Sequence, residues 1–312
     1  MSPSFVVRKT SGRNYQASGL SRFGLARREA FSEADFPQSM KVFLLVILVL
    51  VLFFLLMFFL GQGKMIYFPR SYAANTPLLE KVTAHSYNSD GKKQWVYLLK
   101  RDGASFPDRV WWLFGGNGSV ALDWVSLVEK ADPSANHAFV LFDYPGYGFN
   151  SGRPGPKAIF QSVDDAIPVV ARQLALEPEA LMNRSSGMGY SLGCAVALDS
   201  ANRHGWNRVV AVSPFTTMQA MAERSVGGLL SKLLNHHYDN EVSIDALVDG
   251  GDSRVTIFHG DADNIVPYEM GEALAGRDES GGVVDFVPVR RAGHNDILGA
   301  LEVELVAILN SE

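Results

Sequence analysis

The chain has 312 residues, with 28 Lys and Arg against 33 Asp and Glu, for a formal net charge of −5. That balance shows no basic patch of the kind nucleic acid requires, and a single cysteine, Cys194, rules out an intrachain disulfide. The length suits one large α/β domain plus an appendage.

Residues 1–41 hold Arg8, Lys9, Arg13, Arg22, Arg27, Arg28 and Lys41 among many Ser and Gly, with no sustained period. They are expected to form a disordered tail; Met1 and Met40 both stand as candidate starts. From Val42 to Leu60 the sequence reads VFLLVILVLVLFFLLMFFL, without one polar side chain. At about 1.5 Å per residue such a helix spans nearly the ~30 Å hydrocarbon core. The run is longer than a signal-peptide core and is followed by large residues, so residues 42–60 are read as a transmembrane anchor. The basic residues precede the span, which predicts a cytoplasmic N-terminus and a main domain on the periplasmic, extracytoplasmic or lumenal side.

Past the anchor, residues 61–312 alternate strand-like and helical stretches. KVTAHSYNS and QWVYLLKR read as a hairpin turning at Asp90-Gly91. RVWWLFGG and HAFVLFDYPG are continuous apolar runs, with a helical stretch, ALDWVSLVEKA, between them. An amphipathic helix is expected over 156–176, then a strand in RSSGMGY and a helix in SLGCAVALDSANR. NRVVAVSPF, RVTIFHGDAD and GVVDFVPVRRAG supply three more strands, and a helix ends the chain. Such alternation predicts a mostly parallel sheet with helices on both faces. Residues 216–250 form an insert, either a helical lid or a packing pair of helices.

In sheets of this kind, ligands bind at the carboxyl ends of the strands. There the stretch GMGYSLG places Ser191 between Gly189 and Gly193, at a strand-to-helix turn. So sharp a bend tolerates only glycine-sized neighbours, and it leaves the backbone N–H of Leu192 free to donate. A serine nucleophile needs a base. Of the seven histidines, His294 stands out, in a glycine-flanked loop after the last strand. The base needs a carboxylate, and HGDADNIVP offers Asp261 and Asp263. LFGGNGS could supply a second oxyanion donor, Asn117, with Gly118 next. The pair His236-His237 lacks a carboxylate at helical spacing for a metal site.

These residues resemble the α/β-hydrolase superfamily, and more narrowly a membrane-anchored branch similar to serine-aminopeptidase-like hydrolases and protein depalmitoylases. The resemblance rests on MIYFP (65–69), LFGGNGS (113–119), FDYPGYGFNSG (142–152), GYSLG (189–193), SPF (213–215), HGDADNIVP (259–267) and GHND (293–296). It implies an α/β-hydrolase fold with Ser191 as nucleophile, Asp263 as acid, His294 as base, and Asn117 and Leu192 as oxyanion donors. Tyr144 either lines the pocket or serves the fold. Gly115-Gly116 stands where relatives usually have His-Gly. The implied activity is a membrane-anchored serine hydrolase cleaving an ester or thioester, or an amide, of a small, lipid-like or acylated substrate. It needs no metal or organic cofactor. The competing class is a non-enzymatic membrane scaffold on a hydrolase fold, against which the complete triad speaks.

Overall fold

A computed structural model describes residues 37–73, 75–100 and 106–311. The predicted disordered tail therefore lies largely outside the described residues, together with its basic residues before Lys41. The chain divides into two units, Met1–Leu52 and Phe53–Glu312. In the first, the described residues are almost all helix, the start of α1 (Gln38–Ile66). This helix is long and apolar enough to cross a membrane, and its most apolar stretch has no buried residue.

The second unit is built on one sheet of eight strands. A 3-10 turn (Pro77–Lys81) leads into β1 (Thr83–Ser89) and β2 (Lys92–Lys100). Asp90 and Gly91 join them with φ of 50° and 71°, the left-handed pair that a tight hairpin turn demands. Next come β3 (Arg109–Phe114), a 3-10 turn (Ala121–Trp124) running into the single-turn α2 (Val125–Val128), and β4 (His137–Phe142). Then follow α3 (Pro156–Gln173), α4 (Pro178–Met182), β5 (Ser185–Tyr190), α5 (Leu192–His204) and β6 (Arg208–Val212). The chain continues through α6 (Met218–Ser231), α7 (Asn240–Gly250), β7 (Arg254–Gly260) and α8 (Tyr268–Ala275). It closes with β8 (Val284–Val289), α9 (Ile297–Ala300) and α10 (Glu302–Asn310).

The strand order is β1-β2-β4-β3-β5-β6-β7-β8. β2 runs antiparallel to both β1 and β4, and every pairing from β4 to β8 is parallel. The inner strands β3, β4 and β6 are apolar on both sides because both faces are covered. Along β3, Val110, Trp112 and Phe114 join a core with Val163 of α3, Val196 of α5 and Leu247 of α7. Trp111 and Leu113 point the other way, into a core with Val125 of α2 and Leu305 of α10. Trp112 stacks on Trp206 at 5.6 Å and donates its indole N–H to Ser185 Oγ at 3.0 Å. β8 forms one open edge and carries Asp285 and Pro288.

The 216–250 insert is two helices with different tasks. Thr217 and Asp239 form an isolated bridge at their near ends and cap one helix each, accepting from the N–H groups of Ala220 and Val242 at 3.0 Å. α7 buries Ile244 and Leu247 in the core. α6 bends at Gly227 (φ 82°), where any other residue would be strained, and lies over the pocket described next.

Candidate active site

Gly189, next to last in β5, lies beside the first turn of α5, and the two backbones nearly touch. A methyl group on Gly189 would sit 2.3 Å from the carbonyl oxygen of Gly193, and one on Gly193 would sit 2.1 Å from that of Phe114. Glycine at both places is what lets the chain reverse so sharply. Ser191, at the apex, has φ 53° and ψ −114°, a conformation that costs on the order of 1–3 kcal/mol and clusters at active sites. Its N–H donates to Val212 O at 2.9 Å, which holds the turn against β6.

The loop after β8 brings His294 to this apex. Its Nε2 lies 3.0 Å from Ser191 Oγ, and its Nδ1 lies 2.7 Å from Asp263 Oδ2, on the loop after β7. With Nδ1 protonated and donating to Asp263, Nε2 is left to accept the Ser191 hydroxyl proton. Tyr190 fixes the histidine loop: its hydroxyl donates to His294 O at 2.7 Å, and its ring lies 5.2 Å from the imidazole. Asp261 faces elsewhere, accepting from Arg291 N at 2.6 Å.

The Asp263 side chain has 0% exposure. Its Oδ1 accepts from the N–H groups of Ile265 and Val266 at 2.9 and 2.8 Å. Its Oδ2 faces His294 and also His259, whose Nε2 is 3.5 Å away. Burial works to raise the pKa of this carboxyl, but the His259 and His294 contacts, the Ile265 N–H and the charge on His294 outweigh it. The carboxyl is held well below its ordinary range. His259 itself is fully buried and shares its Nε2 with Val266 O at 3.0 Å.

Asn117 and Leu192 both line the pocket with Ser191 and His294. Among the described residues, neither backbone N–H donates to a protein acceptor. The rest of Asn117 is committed: its side chain donates to Ile66 O at 2.9 Å, and its carbonyl accepts from Phe68 N and from the Tyr147 hydroxyl. Tyr144 does not line the pocket. It is buried and donates to Gly115 O at 2.6 Å. The FDYPGYGFNSG turn thus braces the 113–119 loop from behind through two tyrosines. The role of Tyr147 leaves no signal in the sequence beyond its place in that turn.

The pocket measures about 670 Å³ and is largely apolar, with Met218, Met221 and Ala222 of α6 in its wall. Among the described residues no group of three or more His, Cys, Asp and Glu side chains is placed to hold a metal ion. His236 is instead 3.1 Å from the Tyr67 hydroxyl through Nδ1.

No family model matches the chain. YfhR of Salmonella typhi, an uncharacterized protein, is 27% identical over 169 residues, which cover 51% of this chain and 56% of YfhR. The alpha/beta hydrolase domain-containing protein 17B of Xenopus laevis is 28% identical over 156 residues, covering 50% of each. The chain spans about half the length of the curated relatives it matches. The esterase Pf2001 of Pyrococcus furiosus superposes with a TM-score of 0.57 at 14% identity, covering 78% of this chain and 95% of the esterase. The fold is that of the α/β-hydrolases. Within that fold, the strand-to-helix turn at Ser191 and the loops after β7 and β8 meet at the carboxyl ends of the strands.

Proposed function

We propose that this protein is a serine hydrolase of carboxylic esters or thioesters, working through Ser191, His294 and Asp263. The observation that carries this reading is the unbroken chain from Ser191 Oγ to His294 at 3.0 Å and on to Asp263 at 2.7 Å. It stands in an apolar pocket beside two backbone N–H groups that donate to no acceptor among the described residues. His294 takes the Ser191 proton as Oγ attacks the acyl carbon. The oxyanion is met by the N–H groups of Asn117 and Leu192, a type of donor worth about 3 kcal/mol or more each. The tetrahedral intermediate collapses, and His294 passes the proton to the departing alcohol or thiol. Water, deprotonated by His294, then attacks the acyl-enzyme, releases the acid and restores the serine. Asp263 stays ionised and keeps His294 in the tautomer that accepts at Nε2. The esterase with the matching fold supports the reaction class.

We further propose that residues 42–60 anchor the enzyme in a membrane with its N-terminus cytoplasmic. The length and apolarity of α1 and the basic residues before it support this.

A fluorophosphonate probe tests the assignment. It should label the wild-type chain and leave Ser191→Ala unlabelled; equal labelling of both would remove Ser191 from the reaction.

A further inference from the structure

Phe58, Gln62, Met65 and Ile66 of α1 line the same pocket as Ser191 and His294. Phe58 is also one of the nineteen residues of the apolar run. One side chain therefore belongs both to the membrane-span candidate and to the wall of the site. The foot of α1 is fastened in that place. Gln62 is buried; its Nε2 donates to Leu233 O at 2.7 Å and its Oε1 accepts from Asn235 N at 2.8 Å. Asn117, from the loop beside Ser191, donates to Ile66 O. A helix that only tethered the domain would need none of these bonds, whereas a helix that shapes the pocket needs its last turns held in register.

The depth of the pocket follows from the helix. Leu60 ends the apolar run, and Met65 follows five residues later, a rise of about 7.5 Å. The headgroup layer on each side of a bilayer is about 5–7 Å thick. With Leu60 at the hydrocarbon edge, Met65 lies near the outer face of the headgroup layer and Phe58 about 3 Å inside the hydrocarbon. Met65, Phe68 and Ile265 line the pocket yet are 52%, 54% and 47% exposed, an apolar rim suited to lipid. The acyl carbonyls of a bilayer's lipids lie at the hydrocarbon edge, between the levels of Phe58 and Met65, and their chains run on past Phe58. The volume of about 670 Å³ falls within the usual small-molecule range, about 300–1,000 Å³, and admits an acyl chain but not a folded polypeptide.

We propose that the foot of α1 is a working wall of the acyl site, and that the substrate is a long-chain acyl ester or thioester entering from the bilayer along that helix. This rests on the serine-hydrolase reading above. Short-chain soluble esters would fill little of the pocket.

The test uses the full chain in phosphatidylcholine vesicles with p-nitrophenyl esters of two to sixteen carbons. The variants are Phe58→Trp on α1 and Ala222→Trp on α6. Wild type should show kcat/KM at least 100-fold higher for the twelve-carbon than for the two-carbon ester. Each variant should lower that ratio at least tenfold, a comparison in which partition of the esters into lipid cancels. Fluorophosphonate labelling reports which variants are folded. If one fails to label, the other decides; if both fail, Met221→Ala decides, and it should move the preferred chain length upward. A wild-type ratio near one, or variant ratios within twofold of wild type in labelled protein, would overturn the proposal and leave the serine-hydrolase reading standing. A wild-type chain that takes no probe and cleaves no ester would overturn both.

Discussion

Asp263 is surrounded by donors: two backbone N–H groups on one oxygen, and His294 with the more distant His259 on the other. Asp263→Asn puts an amide where a carboxylate oriented His294, and the neutral imidazole then loses its reason to carry the proton on Nδ1. The expected loss is about 10⁴-fold in kcat, read with a short ester; a loss below tenfold would remove Asp263 from the proposed mechanism. The same carboxyl bears on stability. Its folded pKa is depressed, so its contribution is complete above the unfolded value near 3.9 and is lost as pH falls through the lower folded value. Asp143 behaves oppositely. Burial pushes its pKa up to about 7, against the Ala121 N–H and the Tyr72 hydroxyl that favour the charged form; Asp123 nearby raises it further. The folded state holds that proton where the unfolded chain has released it, so stability falls as pH rises from about 4 to 7. Asp143→Asn keeps an acceptor for Ala121 and removes the ionisation. Its thermal midpoint should drop less than that of wild type between pH 5 and pH 8. An unchanged drop would place the pH dependence elsewhere.

Among the elements, α1 and α6 do more than their compositions announce. Gln62→Ala removes both bonds to the 233–235 loop, at a cost of about 0.5–1.5 kcal/mol each. Heat inactivation of fluorophosphonate labelling in detergent should come several degrees earlier; an unshifted curve would mean that the foot of α1 is held by packing alone. Strands and helices of the sheet were readable because two-sided burial writes continuous apolar runs and glycine-marked ends. The meeting of Ser191, Asp263 and His294 was readable for a related reason. Each lies in the segment after a strand, and parallel strands bring their carboxyl ends to one side. What could not be read is what lies between distant elements. The Gln62 bonds span 171 and 173 residues, and the Tyr190 bond to His294 spans 104. No local period reports such contacts. The bond from the Tyr144 hydroxyl to Gly115 O spans 29 residues and leaves no local signal either. The two halves of the 216–250 insert were not separable either, since α6 and α7 differ in what they face rather than in their apolar content.

At the scale of the whole molecule, the proposed orientation predicts that a C-terminal tag on the full chain is digested by protease added outside spheroplasts. A tag that survives until the cells are lysed would reverse the orientation. Enzymes held in a lipid plane also crowd one another in two dimensions, where collisions between like surfaces are frequent. An open sheet edge is a hazard there, because unpaired N–H and C=O groups invite another copy to add its own strand. β8 forms such an edge. Pro288 interrupts its row of donors, since a proline is tolerated where its missing N–H would have faced outward, and Asp285 sets a charge three residues before it. On the proposed reading of a membrane-held enzyme, this small break in one strand would hinder strand addition between copies.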